Sequence, residues 1–254
     1  MIFDQAEFQI RCEWRWRGLH ELAPACDVVI LVDVLSFTTA LDIAASRGAI
    51  VFPYRSQDAS ARVYAAGLDA HLACPNREAG FSLSPASLET LPAGYRLVLP
   101  SPNGAALAFA AHHPCVLAAC LRNAAAVARA AAGRGTTFAV IPAGEIWDSG
   151  EFRPCLEDLI GAGAVVASLP GSRSPEAQLA AAAGEHFRAD FAAALRKSSS
   201  GKELIARGFA RDVELAAQSN VSPHVPALVG RAFVALSSPP SDETSSAPPP
   251  AAAR

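Results

Sequence analysis

The chain is best approached through what it lacks. With 21 Lys and Arg against 24 Asp and Glu in 254 residues, its formal net charge of −3 leaves no basic footprint for a nucleic-acid backbone. The six cysteines (Cys12, Cys26, Cys74, Cys115, Cys120 and Cys155) show no C-x-x-C spacing, which argues against a zinc ribbon and for reduced thiols in a cytoplasmic protein. Met1 to Arg17 contains no apolar h-region, so no secretory signal is expected. The apolar runs fall short of the ~20 residues that span a bilayer, and the longest, Leu159 to Leu169, reads as a buried helix. No H-E-x-x-H, G-x-S-x-G elbow, P-loop or dinucleotide fingerprint occurs, so the common peptidase, esterase and nucleotide-binding readings lose support. The histidines likewise form no ligand spacing and read as structural or solvated.

What remains is rich in core-forming residues. Hydrophobic residues make up 51% of the chain and charged ones 18%, enough for a sizeable core. Short branched or leucine-rich runs alternate with alanine-rich helical stretches, the rhythm of an α/β sheet with covering helices. Strands are predicted at 28–32, 49–53, 96–99, 115–118 and 137–141. Helices are predicted at 39–47, 57–66, 104–112, 124–132, 156–168, 175–187, 191–198, 201–207 and 211–218. Gly48, Gly67 and Gly133 are placed to close helices in the left-handed conformation. Residues 1–236 read as one α/β domain, and the Pro-, Ser- and Ala-rich segment 237–254 offers nothing branched or aromatic to bury and is expected to be disordered.

Three turns carry the chemistry. Val28-Val-Ile-Leu-Val leads directly into Asp33, Ser36, Thr38 and Thr39 at the start of a helical pattern. An acid and hydroxyls at the carboxyl end of a strand lie where open α/β sheets bind ligands, and the helix behind them offers unpaired amides to an anion. A plain structural alternative stands beside this: Asp33 ends a buried strand while the hydroxyls cap the helix. The same pattern recurs in Pro100-Ser101-Pro102-Asn103-Gly104, whose amides can cradle an anion, although Asn-Gly is also an ordinary turn. The third element, Ile141 to Gly163, places five acids between a strand and an apolar helix. Glu145, Glu157 and Asp158 join Asp33 as candidate oxygen ligands for a hard cation such as Mg²⁺. Glu157 and Asp158 could instead simply favour a helix N-terminus, and adjacent helical residues point about 100° apart, so ligation by one is expected rather than by both.

In this order and spacing the motifs resemble the 2-phosphosulfolactate phosphatase family. The matching pieces are Val32-Asp-Val-Leu-Ser-Phe-Thr-Thr39 with Gly48-Ala49, Gly80-Phe81-x-Leu83, Asn103-Gly104, Asn123-Ala-x-Ala-Val-Ala128, Ala143-Gly144, Leu156-Glu-Asp158 with Gly161-Ala-Gly163, and Ser200-Gly-x-Glu-Leu-Ile205 with Asp212. The resemblance implies a three-layer α/β/α sandwich, Mg²⁺ and an acidic phosphomonoester substrate. By matching position it makes Asp33, Thr38, Thr39, Ser101, Asn103, Gly104, Glu157 and Asp158 candidates for metal or phosphate contacts; the residues themselves add Glu145 as a candidate metal ligand, Asp33 as the central ligand or general base, and either Ser36 or an activated water as nucleophile. The chain departs from the family where Ser36 replaces an arginine and where Pro100-Ser-Pro-Asn-Gly-Ala-Ala106 replaces a Thr-Thr-Thr-Asn-Gly-Thr-Arg run. It departs again where Gly80-Phe-Ser-Leu-Ser-Pro-Ala-Ser87 replaces a Gly-Phe-Asp-Leu-Gly-Asn-Ser-Pro stretch. Two cations are lost, and Arg77, Arg122 and Arg153 are the candidates to replace them. The expectation is a Mg²⁺-dependent phosphatase acting on a small anionic phosphoester, without nucleic-acid or membrane partners and with a homo-oligomer left open. The rival is a non-catalytic small-anion binder that keeps the fold.

Overall fold

A computed structural model describes residues 2–236. The expected tail, 237–254, lies outside the described residues. The nine strands of the main sheet are β1 (Ile10–Cys12), β2 (Val28–Val32), β3 (Ile50–Tyr54), β4 (His71–Leu72), β5 (Arg96–Pro100), β6 (Val116–Ala119), β7 (Phe138–Pro142), β10 (Pro226–Val229) and β11 (Ala232–Ala235). A separate small hairpin holds β8 (Glu145–Ile146) and β9 (Phe152–Arg153). The helices are α1 (Arg15–Leu22), α2 (Phe37–Ser46), α3 (Ala59–Gly67), α4 (Gly104–Ala110), α5 (Ala124–Ala132), α6 (Leu156–Ser168), α7 (Pro175–Phe187), α8 (Phe191–Lys197), α9 (Ser199–Ala206) and α10 (Ala210–Ala216). No helix among the described residues is long and apolar enough to cross a membrane.

The strand order is β1-β7-β2-β6-β10-β11-β3-β5-β4. The first four strands run parallel to one another, and so do the last three. Between them the β10–β11 hairpin pairs antiparallel with β6 on one side and with β3 on the other. Three successive reversals therefore set the two parallel groups antiparallel to each other. Each side of the hairpin is joined by a single bridging pair, Ala227 with Leu117 and Phe233 with Val51.

The period-two geometry of strands sorts the core into layers. Val28, Ile30 and Val32 join a cluster with residues from α5 to α10, whereas Val29 and Leu31 face the opposite side and pack with α1, α2 and α4. That second cluster also contains Val51, Leu97 and Leu99 from the other parallel group, so α2 and α4 are enclosed between both groups. Helix α3 covers Phe52, Tyr54 and Val98. Burial on both faces explains why the central strands read as unbroken apolar runs. The result is the expected α/β/α sandwich.

Most predicted elements lie within two residues of their observed bounds. The sequence reading misses β1, β4, α1, the β8–β9 hairpin and the C-terminal hairpin. Of the three glycine caps, Gly48 adopts φ +69, whereas Gly133 stays right-handed at φ −78 and Gly67 is the last residue of its helix without a positive φ. All six cysteines are free. Burial pushes the thiols of Cys12 and Cys120 up to about 12, so they behave as small apolar side chains.

Candidate active site

Asp33 leaves the carboxyl end of β2 and is buried, with 5% of its surface exposed. The chain closes tightly behind it. The Thr38 hydroxyl donates to the Asp33 carbonyl at 2.8 Å and accepts from the Asp33 amide at 3.0 Å, while the Thr39 hydroxyl donates to the Val34 carbonyl at 2.7 Å. Both threonines are fully buried, and their hydroxyls hold the strand-to-helix elbow. The helix amides that the sequence suggests for an outside anion are aimed at Asp33 itself. The Gly104 N–H donates to Oδ2 at 2.7 Å, and the Phe37 N–H approaches Oδ1 at 3.3 Å. Glycine is required at 104, because a Cβ there would fall 2.6 Å from both Asp33 Oδ2 and the Phe37 ring. In this way the exits of β2 and β5, five strands apart in the sheet order, meet at one carboxylate.

The acidic first turn of α6 approaches from the other side. Asp158 Oδ1 accepts from the Val34 N–H at 2.7 Å and Oδ2 from the Gly144 N–H at 2.8 Å, so this side chain ties the β2 elbow to the exit of β7. Gly144 permits the tie through φ +61 and a space in which a Cβ would meet the Phe152 ring at 2.4 Å. Its neighbour Glu157 is equally buried, at 3% exposed, yet has no hydrogen-bond partner among the described residues. The two adjacent acids thus divide the work: one fastens loops and the other is left free. Glu145, at the start of β8, accepts from the side-chain Nδ2 of Asn103 at 2.6 Å.

Charge crowding dominates the electrostatics. Burial, helped by repulsion from Glu145 and Glu157, raises the Asp33 carboxyl to about 6 against the pull of the Gly104 and Phe37 amides. Burial, then Asp33 and Glu157, hold Asp158 well above its ordinary value. Hard oxygens whose mutual repulsion opposes ionisation are donors that a divalent cation would relieve. Among the described residues no group of three or more His, Cys, Asp or Glu is arranged as a metal cage. Mg²⁺, which uses one or two carboxylates and fills its remaining positions with water and substrate phosphate, would be compatible with Asp33 and Glu157 as donors.

Of the three arginines expected from the sequence, Arg77 lies beside the β2 elbow, Arg122 does not serve it, and a further one, Arg15, joins from the N-terminal segment. Arg122 is held in a 2.7 Å ion pair with buried Asp42 and also meets Gln218, so it is committed to the fold. Arg153 donates to the Ser200 hydroxyl at 3.1 Å and lies 5.0 Å from the centre of the Trp147 ring. Arg77 donates to the Ser36 hydroxyl at 3.2 and 3.3 Å while pairing with Asp212 at 3.0 Å, placing a guanidinium against the β2 elbow. Asp212 is held in turn by the Ser84 hydroxyl at 2.6 Å and the Ala86 amide at 3.1 Å. The sequence reading gives no role to Arg15, at the start of α1, whose Nη1 donates to Asn103 Oδ1 at 3.0 Å and to the Ala143 carbonyl at 3.2 Å. Its short approach, Glu13-Trp14-Arg15, carries no motif, and only the fold brings it to Asn103. Ser101, buried, accepts from the Asn103 amide at 3.3 Å. A cavity of about 430 Å³ beside Pro53, Tyr64, Phe109 and Arg231 contains none of these groups.

Carboxylates gathered at strand exits, with guanidinium groups near them, mark the candidate site of this α/β/α protein. The family described as 2-phosphosulpholactate phosphatase matches residues 18–231, most of the chain, and the protein belongs to that family. No curated protein matches it. Membership supports phosphoric monoester hydrolysis as the general activity.

Proposed function

We propose that the protein is a Mg²⁺-dependent phosphatase of a small acidic phosphomonoester. The observation that carries this reading is the burial of Asp33, Glu157 and Asp158 within electrostatic reach of one another, with Glu145 acting on Asp33 as well, Asp33 raised to about 6 and no cation paired with it among the described residues. Buried carboxylates kept close together at a cost in stability are a mark of function. Glu157, whose carboxylate has no hydrogen-bond partner among the described residues, and Asp33, whose Oδ1 receives only the long 3.3 Å contact from the Phe37 N–H, would hold the ion more readily than Asp158, whose two oxygens take backbone bonds of 2.7 and 2.8 Å. When bound, Mg²⁺ supplies positive charge to the phosphoryl oxygens.

Phosphoryl transfer needs little covalent help from a protein, so positioning and charge carry most of the catalysis. The side-chain amide of Asn103, bonded to Glu145, and the guanidinium of Arg77, bonded to Ser36 and within electrostatic reach of Asp33, are suited to orienting the phosphoryl group. Ser36 is the weaker nucleophile candidate. Its hydroxyl accepts from Arg77 and has no general base within hydrogen-bond reach among the described residues, whereas an activated serine needs one. Water is therefore the proposed attacking group.

The test is phosphate release from a panel of carboxylated phosphomonoesters with Mg²⁺ and with EDTA, in wild type and Glu157→Gln. Turnover that EDTA abolishes, and that Glu157→Gln restores only at raised Mg²⁺, is expected. Equal turnover in EDTA would overturn the metal dependence. Phosphate binding without turnover of any ester would instead select the non-catalytic binder.

A further inference from the structure

Arg15 lies outside the matched span of 18–231, so family membership assigns it nothing. It is half-buried, and its charge lies within electrostatic reach of Glu145, Asp33 and Asp158. Even so, it forms no ion pair with any of them within 4 Å among the described residues. A cation placed to neutralise those acids would make short charge-assisted bonds to them. Arg15 is instead fastened through neutral acceptors, the Asn103 side-chain oxygen and the Ala143 carbonyl, and both bonds come from Nη1.

A guanidinium has five N–H donors, and Nη1 carries two of them. The Nε proton and the two Nη2 protons have no partner among the described residues. They form one edge of the fork, the edge that meets two oxygens of a carboxylate or phosphate at once. The backbone supports the placement: Arg15 sits at φ +59, a conformation that is unfavourable for a non-glycine residue and persists only where its surroundings impose it. The N–H of Gly18 closes this turn onto the Trp14 carbonyl at 2.9 Å, where a Cβ at 18 would strike the Glu13 carbonyl at 2.5 Å. Asn103 then joins the two halves of the site, donating to Glu145 while accepting from Arg15.

We infer that Arg15 is an anion-binding residue of this site, presenting its Nε–Nη2 edge to two oxygens of the substrate's phosphoryl group from the N-terminal segment. The inference rests on the proposed phosphatase reading for its substrate, but the binding of a phosphate oxyanion can be tested without turnover.

Inorganic phosphate is titrated by calorimetry into the full chain in the presence of Mg²⁺, using wild type, Arg15→Lys and Arg15→Gln. Hydrolysis of p-nitrophenyl phosphate is followed in parallel, with Asp33→Asn included. The expected result is phosphate affinity about 10- to 100-fold weaker in Arg15→Gln, as for losing a charge-assisted pair of bonds. Its KM should rise by a similar factor, and Arg15→Lys should be several-fold weaker than wild type, because it keeps the charge but not the fork. Unchanged phosphate affinity in Arg15→Gln overturns the inference, as does the absence of phosphate binding by wild type at millimolar concentrations. If Arg15→Gln does not fold, Arg15→Lys decides: affinity equal to wild type overturns it. Phosphate binding by wild type without Mg²⁺-dependent hydrolysis of the ester would refute the phosphatase reading and leave the Arg15 comparison standing, whereas wild-type rates in Asp33→Asn would remove only Asp33 from the catalytic site.

Discussion

Asp33 and Asp42 belong to one strand-to-helix unit, nine residues apart and both buried, yet the fold treats them in opposite ways. Asp42, in the body of α2, is met by Arg122 at 2.7 Å, and the pair fastens α2 to the segment before α5 and, through Gln218, to the chain beyond α10. Asp33, just before α2, is met by backbone amides and surrounded by more acid. A buried acid with its own cation holds structure together. A buried acid crowded by others raises its own free energy, and that cost persists where chemistry requires it.

The largest effect expected from this contrast is on catalysis. Asp33→Asn keeps the size of the side chain and removes its charge. Turnover should fall by roughly a hundredfold or more, several kcal/mol of transition-state stabilisation, while the circular dichroism spectrum remains that of wild type. Wild-type rates in this variant would place Asp33 with the structural acids.

Next in size is the opposite substitution. Arg122→Met leaves Asp42 buried and uncompensated, and about 3–5 kcal/mol of stability should be lost. Urea denaturation measures this directly, and the surviving folded fraction should keep its KM. A large rise in KM at unchanged stability would mean that Arg122 serves the site after all.

The third expectation concerns pH. Because Asp33 titrates near 6 when folded and near 3.8 when unfolded, the native state binds more protons across that interval. Stability in EDTA should therefore fall as pH rises from about 4 to above 6, by up to roughly 3 kcal/mol, and then level off. Asp158 is displaced in the same direction and adds to the trend. Added Mg²⁺ favours the ionised forms and should raise the melting temperature at pH 7.5 in wild type more than in Asp33→Asn. A melting temperature indifferent to both pH and Mg²⁺ would show that the carboxylates are not electrostatically crowded.

Several parts of this molecule were legible before folding. β2 and the alanine-rich helices announced themselves through burial patterns local to each segment, and Asp33, Asn103, Glu157 and Asp158 through their places at strand exits or helix starts. The C-terminal hairpin was missed although a signal existed: Gly230-Arg231 is a two-residue turn between short apolar runs, and Gly230 adopts φ +62. β1 and β4 are too short, at three and two residues, to carry a periodicity. The roles of the arginines could not be read, because Arg15, Arg77, Arg122 and Arg153 differ in what they meet across the fold and not in their own neighbourhoods.

The linear chain by itself determined the α/β rhythm, the apolar strands and the presence of acids and hydroxyls at the turns, since all of these depend on residues close in sequence. Only the tertiary structure decided that Thr38 and Thr39 close an elbow, that Asp158 ties two loops while Glu157 stays free, and that Arg15 meets Asn103 across 88 residues. The physical reason is that a charged or hydrogen-bonding group is defined by its partner. For the groups that make this site, most partners lie on other strands and helices, brought near only when the two halves of the sheet close around α2 and α4.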